Sequence, residues 1–411
     1  MKSLAILGLG GRGDMFARIA LEENIKIKAV CDIDPVRRAI ATELYVLNAK
    51  EVYGSAEDFF AAGKLADIVI IATLDETHYE FTLKALDLEY DVLLEKPIAL
   101  SLHDVVGINE YAKLRNRKVG VCHVLRYAAL YRKMKEIIDS GKIGRLMNIN
   151  QTENVGYYHF AHSFVRGNWH NSIETCPSIL AKCCHDLDLI VWLAGAECVS
   201  VSSFGELTYF KEENAPEGAT ERCKDCPHKD TCVYSGYNIY KAYPGMVKQP
   251  PYKEYTVENA YEVLADNATF YDKCVYKMDN DVCDHQMVNM QLTNGVLANL
   301  TLNAFSSEIY RRTQVCGTYG EINCLLDSGE MTVSVFGKEP ETIRITINDN
   351  VSHHVGSDRA LLVDFVNYVD GKQKSVGLTS LDKSIESHVI AFAAEESRLS
   401  GGKPVKIEKT R

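Results

Sequence analysis

The stretch LAILGLGGRGDMFARIALEENIKIKAVCD, residues 4–32, decides the fold. It reads as apolar strand, glycine-rich turn, helix, apolar strand and acid, in the span that a dinucleotide-binding βαβ unit requires. Each glycine has its own task. Gly8 permits the tight turn, Gly10 lets the backbone approach a pyrophosphate, and Gly13 lets helix and strand pack closely. Gly11 and Arg12 complete the turn, and the helix N-terminus faces the phosphates. Asp32, closing the second strand, is placed to accept hydrogen bonds from the adenosine ribose hydroxyls. Its charge repels a 2′-phosphate and so favours NAD over NADP, while Arg12 and Arg37 leave NADP open as the alternative.

The alternation continues outward. ADIVIIATL (66–74) is a buried strand, THYEFTLKALDL (77–88) a helix, YDVLLEKP (90–97) a strand ended by Pro97, and KVGVCHV (118–124) a further strand. Ser101 with Asp104 forms an N-cap signature that opens a helix to about Arg117. Apolar strands alternating with helices predict a parallel sheet covered on both faces, with ligands at the carboxyl ends of the strands. Thr73, Leu74, His78, Glu95, Lys96 and His123 all fall at such ends. Arg126 and Tyr127, just beyond His123, are further candidates for the substrate side. This unit is assigned to residues 1–124 and the remainder, 125–411, to a second domain.

GLGGRG (8–13), IATLDETHYE (71–80) and above all EKPIAL (95–100) together resemble the Gfo/Idh/MocA oxidoreductase family. The resemblance extends over essentially the whole chain. It implies an α/β protein: an N-terminal Rossmann domain and a C-terminal α+β domain on a large, mostly antiparallel sheet. It further implies that Lys96 contacts the nicotinamide ribose and the reacting hydroxyl, with Glu95, Thr73 and His78 lining the cofactor. By itself, Lys96 beside Glu95 reads as a surface ion pair.

CPSILAKCCHDLDLIVWLAG (176–195) reads as a helix starting after Pro177. In the family this segment usually carries Asp-x-x-x-His-x-x-Asp, with the histidine as general acid/base. His185 and Asp188 match that pattern, whereas the earlier aspartate is replaced by Ala181, with Lys182 beside it. Lys182 shares a helix face with His185. Either it lowers the pKa of the histidine and holds a substrate alkoxide or carboxylate, or it pairs with Asp186 one turn on. Cys183 and Cys184, consecutive on a helix, read as small buried residues. Upstream, HFAHSFVRGNWHN (159–171) crowds His159, His162, Arg166, Trp169 and His170 into a polar, aromatic loop suited to a sugar ring, which has apolar faces and hydroxyl edges.

Beyond this helix, CVSVSSFGELTYF (198–210) and MVNMQLTNGVLANLTLNAF (287–305) read as strands, the latter folded at Asn294-Gly295. The family resemblance implies that the two C-terminal helical stretches pack back on the Rossmann domain and that the sheet builds a homodimer or homotetramer. Between the strand blocks lies an insert, about 212–280, with Pro216, Pro227, Pro244, Pro250 and Pro251 and little apolar periodicity. Such a loop is expected to bury too little surface to order itself. Within it, RCKDCPHKDTC (222–232) supplies Cys223, Cys226 and Cys232 at metal-ligand spacing, with Cys274 as the best candidate for the fourth ligand and Cys283 and His228 behind it. Four thiolates in a closed site fit structural zinc, with an iron–sulfur cluster as the alternative.

The formal net charge of −11 argues against nucleic-acid and anionic-membrane partners. The 13 cysteines, an odd number, in a chain without a signal-peptide pattern fit a cytoplasmic protein with reduced thiols. Three functions follow as expectations. The first is NAD-dependent oxidation or reduction of a secondary hydroxyl of a sugar, glycoside or cyclitol. The second is glycoside cleavage through transient sugar oxidation and elimination, with NAD regenerated in each cycle. The third is a non-enzymatic cofactor sensor, which has no need of both Lys96 and His185.

Overall fold

The computed structural model describes residues 2–247, 256–346, 356–372 and 375–407, so Pro250 and Pro251 of the insert lie outside the described residues. The first sheet is built from β1 (Leu4–Leu7), β2 (Ile27–Cys31), β3 (Val52–Tyr53), β4 (Ile68–Ile71), β5 (Asp91–Leu94) and β6 (Val119–Val121). Its order is β3-β2-β1-β4-β5-β6 and every pairing is parallel. β1 and β4 are buried along their whole length, as strands covered on both faces must be. The order reverses between β1 and β4, and such a switch point opens a crevice at the strand ends. The helix Leu102–Leu114 begins where the sequence places it, with Ser101 Oγ accepting from the Asp104 N–H.

The second sheet comprises β7 (Leu146–Asn154), β8 (Cys198–Glu206), β9 (His285–Leu292), β10 (Leu297–Asn303), β11 (Tyr310–Gly317), β12 (Gly320–Leu325), β13 (Glu330–Val335), β14 (Glu341–Arg344) and β15 (Val405–Lys406). Its order is β14-β13-β12-β11-β7-β10-β9-β8-β15, antiparallel except where β10 runs parallel to β7. β9 alternates exposed and buried along its length. One sheet face is therefore core, packed against the helix Ser178–Ala194. The other face carries exposed Phe204, Met287 and Leu297. The β9–β10 hairpin turns at Asn294-Gly295, where Gly295 has a φ of +83°.

The two helices near the C-terminus, Ser357–Val369 and Leu381–Leu399, complete the core of the first sheet. Leu361, Leu362 and Phe365 join Leu4, Ile6 and Phe16 in one cluster, while Leu381, Ile385 and Val389 join Val69, Val92 and Val121 in another. Phe365 lies so close to β6 that a Cβ on Gly120 would sit 2.6 Å from its ring. The Val121 N–H donates to the carbonyl of Thr379 at 2.8 Å, which binds the sheet edge to the segment between the two helices.

The insert corrects the expectation that it cannot order itself. It forms the helices Gly236–Ala242 and Val257–Ala265, and Tyr234, Tyr240, Leu264, Tyr271 and Tyr276 are buried in the main core of the second domain. Aromatic rings carry this burial. Tyr234 meets Phe210 edge to face at 5.2 Å, and Tyr271 stacks on His162 at 5.6 Å. Among the described residues, no helix is long and apolar enough to cross a membrane.

Candidate active site

A cleft of about 730 Å³ runs from the glycine turn after β1, past the ends of β4 and β5, to the helix Ser178–Ala194. At the turn, Gly8 has a φ of +90°, and a Cβ there would sit 2.6 Å from the Ala72 carbonyl oxygen. A Cβ on Gly13 would sit 1.8 Å from the Gly8 oxygen, so helix and turn approach as closely as a side-chain-free residue allows. At Gly10 the nearest atom to a Cβ would be Arg37 Nη1, 3.8 Å away. That glycine faces open cleft, as a pyrophosphate cradle requires. Asp32 lines the same cleft, its carboxylate accepting the N–H groups of Leu9 at 2.6 Å and Asp34 at 2.8 Å. These residues fit a bound dinucleotide.

Two residues assigned to the cofactor sit differently from the sequence expectation. His78 is fully buried behind the wall, with Nδ1 2.7 Å from the Pro97 carbonyl oxygen and Nε2 3.4 Å from that of Thr73. It braces the two turns that carry Thr73 and Lys96. Arg12 reaches the cleft, but its guanidinium is held by Glu95 at 2.5 Å and Asp358 at 2.8 Å, so its charge is already compensated. Arg37, 4.0 Å from Asp32, is the cation beside the ribose position. Changing Asp32 to asparagine is therefore expected to weaken NAD binding by about 10- to 100-fold, the worth of hydrogen bonds to a charged group. It should also improve binding of NADP relative to NAD; fluorescence titration with both cofactors reads this directly, and an unchanged ratio would contradict the role given to Asp32.

Lys96, Lys182, His185 and Trp169 converge at the far end of the cleft with Leu74 and Glu95. The Lys96 ammonium donates to the Ala181 carbonyl at 2.9 Å, one helical turn before His185, and lies 5.7 Å from the Trp169 ring centre. The peptide between Lys96 and Pro97 is cis. The Trp169 indole N–H donates to Asp75 Oδ2 at 2.7 Å, fixing the ring against the end of β4. Lys182 does not pair with Asp186: it pairs with Glu153 of β7 at 3.3 Å, while Asp186 accepts from Arg311 at 3.0 Å and Gln151 at 2.7 Å. Burial pushes the Glu153 carboxyl above its usual range, against the opposing pull of Arg311 and Lys182.

The remaining substrate candidates are not on the cleft wall. Asp188 is fully buried and accepts from Arg126 Nε at 2.6 Å and Nη2 at 2.5 Å, with His123 Nδ1 at 3.1 Å. This triad lies directly behind His185, whose ring is 5.9 Å from that of His123. Tyr127 donates to Asp364, and His170 contacts the Gly167 carbonyl. Arg166 is turned the other way, into the cysteine-rich insert. Of that loop the cleft includes His159, which the sequence places beside Trp169, and Ser163, Phe164 and Asn168, which it does not single out. Burial first, then the charge of Lys182, holds the His159 imidazole well below its ordinary pKa, so that it is neutral at pH 7. The short loop sequence signals neither its direction nor its depth.

The expectation of a zinc site is not met. Cys223, Cys226, Cys232 and Cys274 surround one cavity of about 20 Å³. They do not converge on a point: among the described residues, no group of three or more His, Cys, Asp or Glu is placed to hold a metal ion.

Residues 2–123 match the profile described as "Oxidoreductase family, NAD-binding Rossmann fold", and residues 135–407 that described as "Oxidoreductase family, C-terminal alpha/beta domain". The chain belongs to the Gfo/Idh/MocA oxidoreductase family. Within this family it is 26% identical over 391 residues to the putative oxidoreductase YteT of Bacillus subtilis, covering 89% of this chain and 88% of that one. It is 30% identical over 200 residues to an inositol 2-dehydrogenase of Ralstonia nicotianae, covering 48% of this chain and 56% of that protein. An oxidoreductase from Agrobacterium radiobacter, solved with NAD⁺, L-tartaric acid and magnesium, superposes with a TM-score of 0.72 at 16% identity, covering 98% of each chain. That likeness is one of fold.

Proposed function

We propose that this protein oxidises, or in the reverse direction forms, a secondary hydroxyl of a sugar, glycoside or cyclitol. The observation that carries the reading is the meeting of Lys96 and His185 on the cleft wall that begins at the glycine turn. Bound NAD supplies the hydride acceptor for the carbinol carbon. The chain supplies the rest. His185 removes the hydroxyl proton, and Lys96, anchored on the Ala181 carbonyl, is placed to stabilise the charge that develops on the oxygen. Trp169 offers a ring face to the apolar side of a sugar, and His159 a neutral hydrogen-bonding partner. Lys182, held by Glu153, sets a second cation beside the first. The partial likeness to an inositol 2-dehydrogenase supports a polyol substrate.

Purified protein offered NAD and a panel of sugars, glycosides and inositols is expected to form NADH with at least one of them. Glycoside cleavage without net NADH would replace this reading with redox-neutral elimination. Tight NAD binding with no turnover on the panel would point to the sensor.

A further inference from the structure

The charges at the far end of the cleft narrow the substrate, on the footing that the cleft carries out the hydride transfer proposed above. The Lys96 ammonium rests on the Ala181 carbonyl at 2.9 Å, and no carboxylate pairs with it among the described residues. Lys182 heads a second set of charges that runs down into the domain. Its Nζ lies 3.3 Å from Glu153, Glu153 lies 2.7 Å from Arg311 Nε, and that nitrogen lies 3.0 Å from Asp186. Two cations and two acids balance. Their placement is uneven, because both acids are fully buried while the Lys182 side chain keeps 17% of its surface exposed. The cleft meets the lysine and not the acids beneath it.

The other carboxylates on the cleft wall are turned elsewhere. Glu95 holds Arg12, Asp75 accepts the Trp169 indole N–H, Asp32 accepts backbone N–H groups at the ribose end, and Glu76 is exposed to solvent. His159, on the same wall, registers the balance. After burial, the groups that hold its imidazole low are Lys182, His162, Lys96 and Arg311, all of positive sign. A substrate entering here meets two ammonium groups and a neutral imidazole.

The two lysines have different work to do. Lys96 belongs to the reacting oxygen. An ammonium carries three N–H donors, and Lys182 spends one of them on Glu153. The others are left for a substituent of the substrate. Lys182 and His185 stand three apart on one helix, so their Cβ atoms are about 5–6 Å from each other. A group held by Lys182 thus lies within a few carbons of the hydroxyl that His185 deprotonates. We propose that this group is a carboxylate and that the substrate is a uronate, a sugar acid held by Lys182 while Lys96 and His185 act on a nearby ring hydroxyl. One ammonium, already shared with Glu153, matches a singly charged carboxylate and is too little for a dianionic phosphate.

The test uses the full chain loaded with NAD and two matched pairs, D-glucuronate with D-glucose and D-galacturonate with D-galactose. Calorimetry reads binding and NADH absorbance reads oxidation. At least one acid is expected to bind about 10- to 100-fold more tightly than its neutral partner, the worth of hydrogen bonds to a charged group. Lys182→Met should bring that ratio below about 3, through KM more than kcat, and Lys182→Arg should keep most of it. The ratio in the unaltered chain decides the matter if Lys182→Met fails to fold. A ratio near one there would overturn the proposal, as would a preference that survives Lys182→Met. Tighter binding of D-glucose 6-phosphate than of either acid would also overturn it. The two readings fail separately. NADH from neutral sugars or inositols, with no gain from a carboxylate, would remove the uronate and leave hydride transfer standing. Tight binding of an acid that depends on Lys182 but yields no NADH would support the carboxylate site and count against the oxidation.

Discussion

Replacing His185 by alanine is expected to lower kcat/KM by about 10²–10⁴-fold, the usual contribution of a positioned general acid or base. The ring stands on the cleft wall, edge-on to the ring of His123 at 5.9 Å. Lys96→Ala should cost about 10²–10³-fold through loss of a preorganised positive charge at the developing alkoxide. In both variants NAD affinity should stay within a few-fold, because the glycine turn and Asp32 are untouched. Steady-state kinetics with a substrate found in the panel, paired with NAD titration, gives both readouts. Full turnover in both variants would refute the assigned chemistry.

Replacing Asp188 by alanine should cost about 3–5 kcal/mol of folding stability, the range for removing one partner of a fully buried ion pair. Arg126 and His123 would be left facing one another without a carboxylate. The same carboxylate has a pH signature. Burial alone would raise its pKa, but Arg126 and His123 outweigh that and hold it at about 2. Its folded pKa thus lies below the unfolded value of 3.8. The stabilisation is therefore complete above about pH 4 and is lost as pH falls through 2. From 3.8 to about 2 the difference amounts to about 2.5 kcal/mol at ~1.4 kcal/mol per tenfold in proton affinity. Urea unfolding at pH 7, 4 and 3 checks both statements. An unchanged midpoint at pH 7 in Asp188→Ala would show that the triad contributes no net stability.

The first sheet was legible because its signals are local. Gly8, Gly10, Gly13 and Asp32 sit within one strand–helix–strand unit, and runs such as Ile68–Ile71 are apolar throughout. Lys96 and His185 were legible through their motifs, the latter despite the substitution at position 181. What escaped depends on which face of an element meets which neighbour. β7 carries polar residues on both faces, so nothing in its period-two pattern shows that Gln151 and Glu153 are core and that Glu153 underlies Lys182. Asp188 and Arg126 read equally well as cleft residues or as a pair behind it, since a helix with buried residues on every side shows no direction. The insert escaped for a different reason. Its core is built from tyrosines scattered among prolines and charges, a composition that mimics an unstructured loop until the rings are seen to stack.

Phe365 against Gly120, and Thr379 bonded to Val121, bear on how the chain is made. A ribosome delivers the first domain early, and N-terminal domains ordinarily fold as they emerge. Here the nascent first sheet lacks part of the core on each face until residues 357–399 have been translated. Until then the side chains that meet Leu361, Leu362 and Phe365 on one face, and Leu381, Ile385 and Val389 on the other, are covered only in part by the domain's own helices. Synthesis of the intervening domain thus becomes a waiting period during which the first one is open to capture by chaperones. A ribosome-bound fragment ending at residue 124 should accordingly be cut by protease far faster than the same residues in the finished protein.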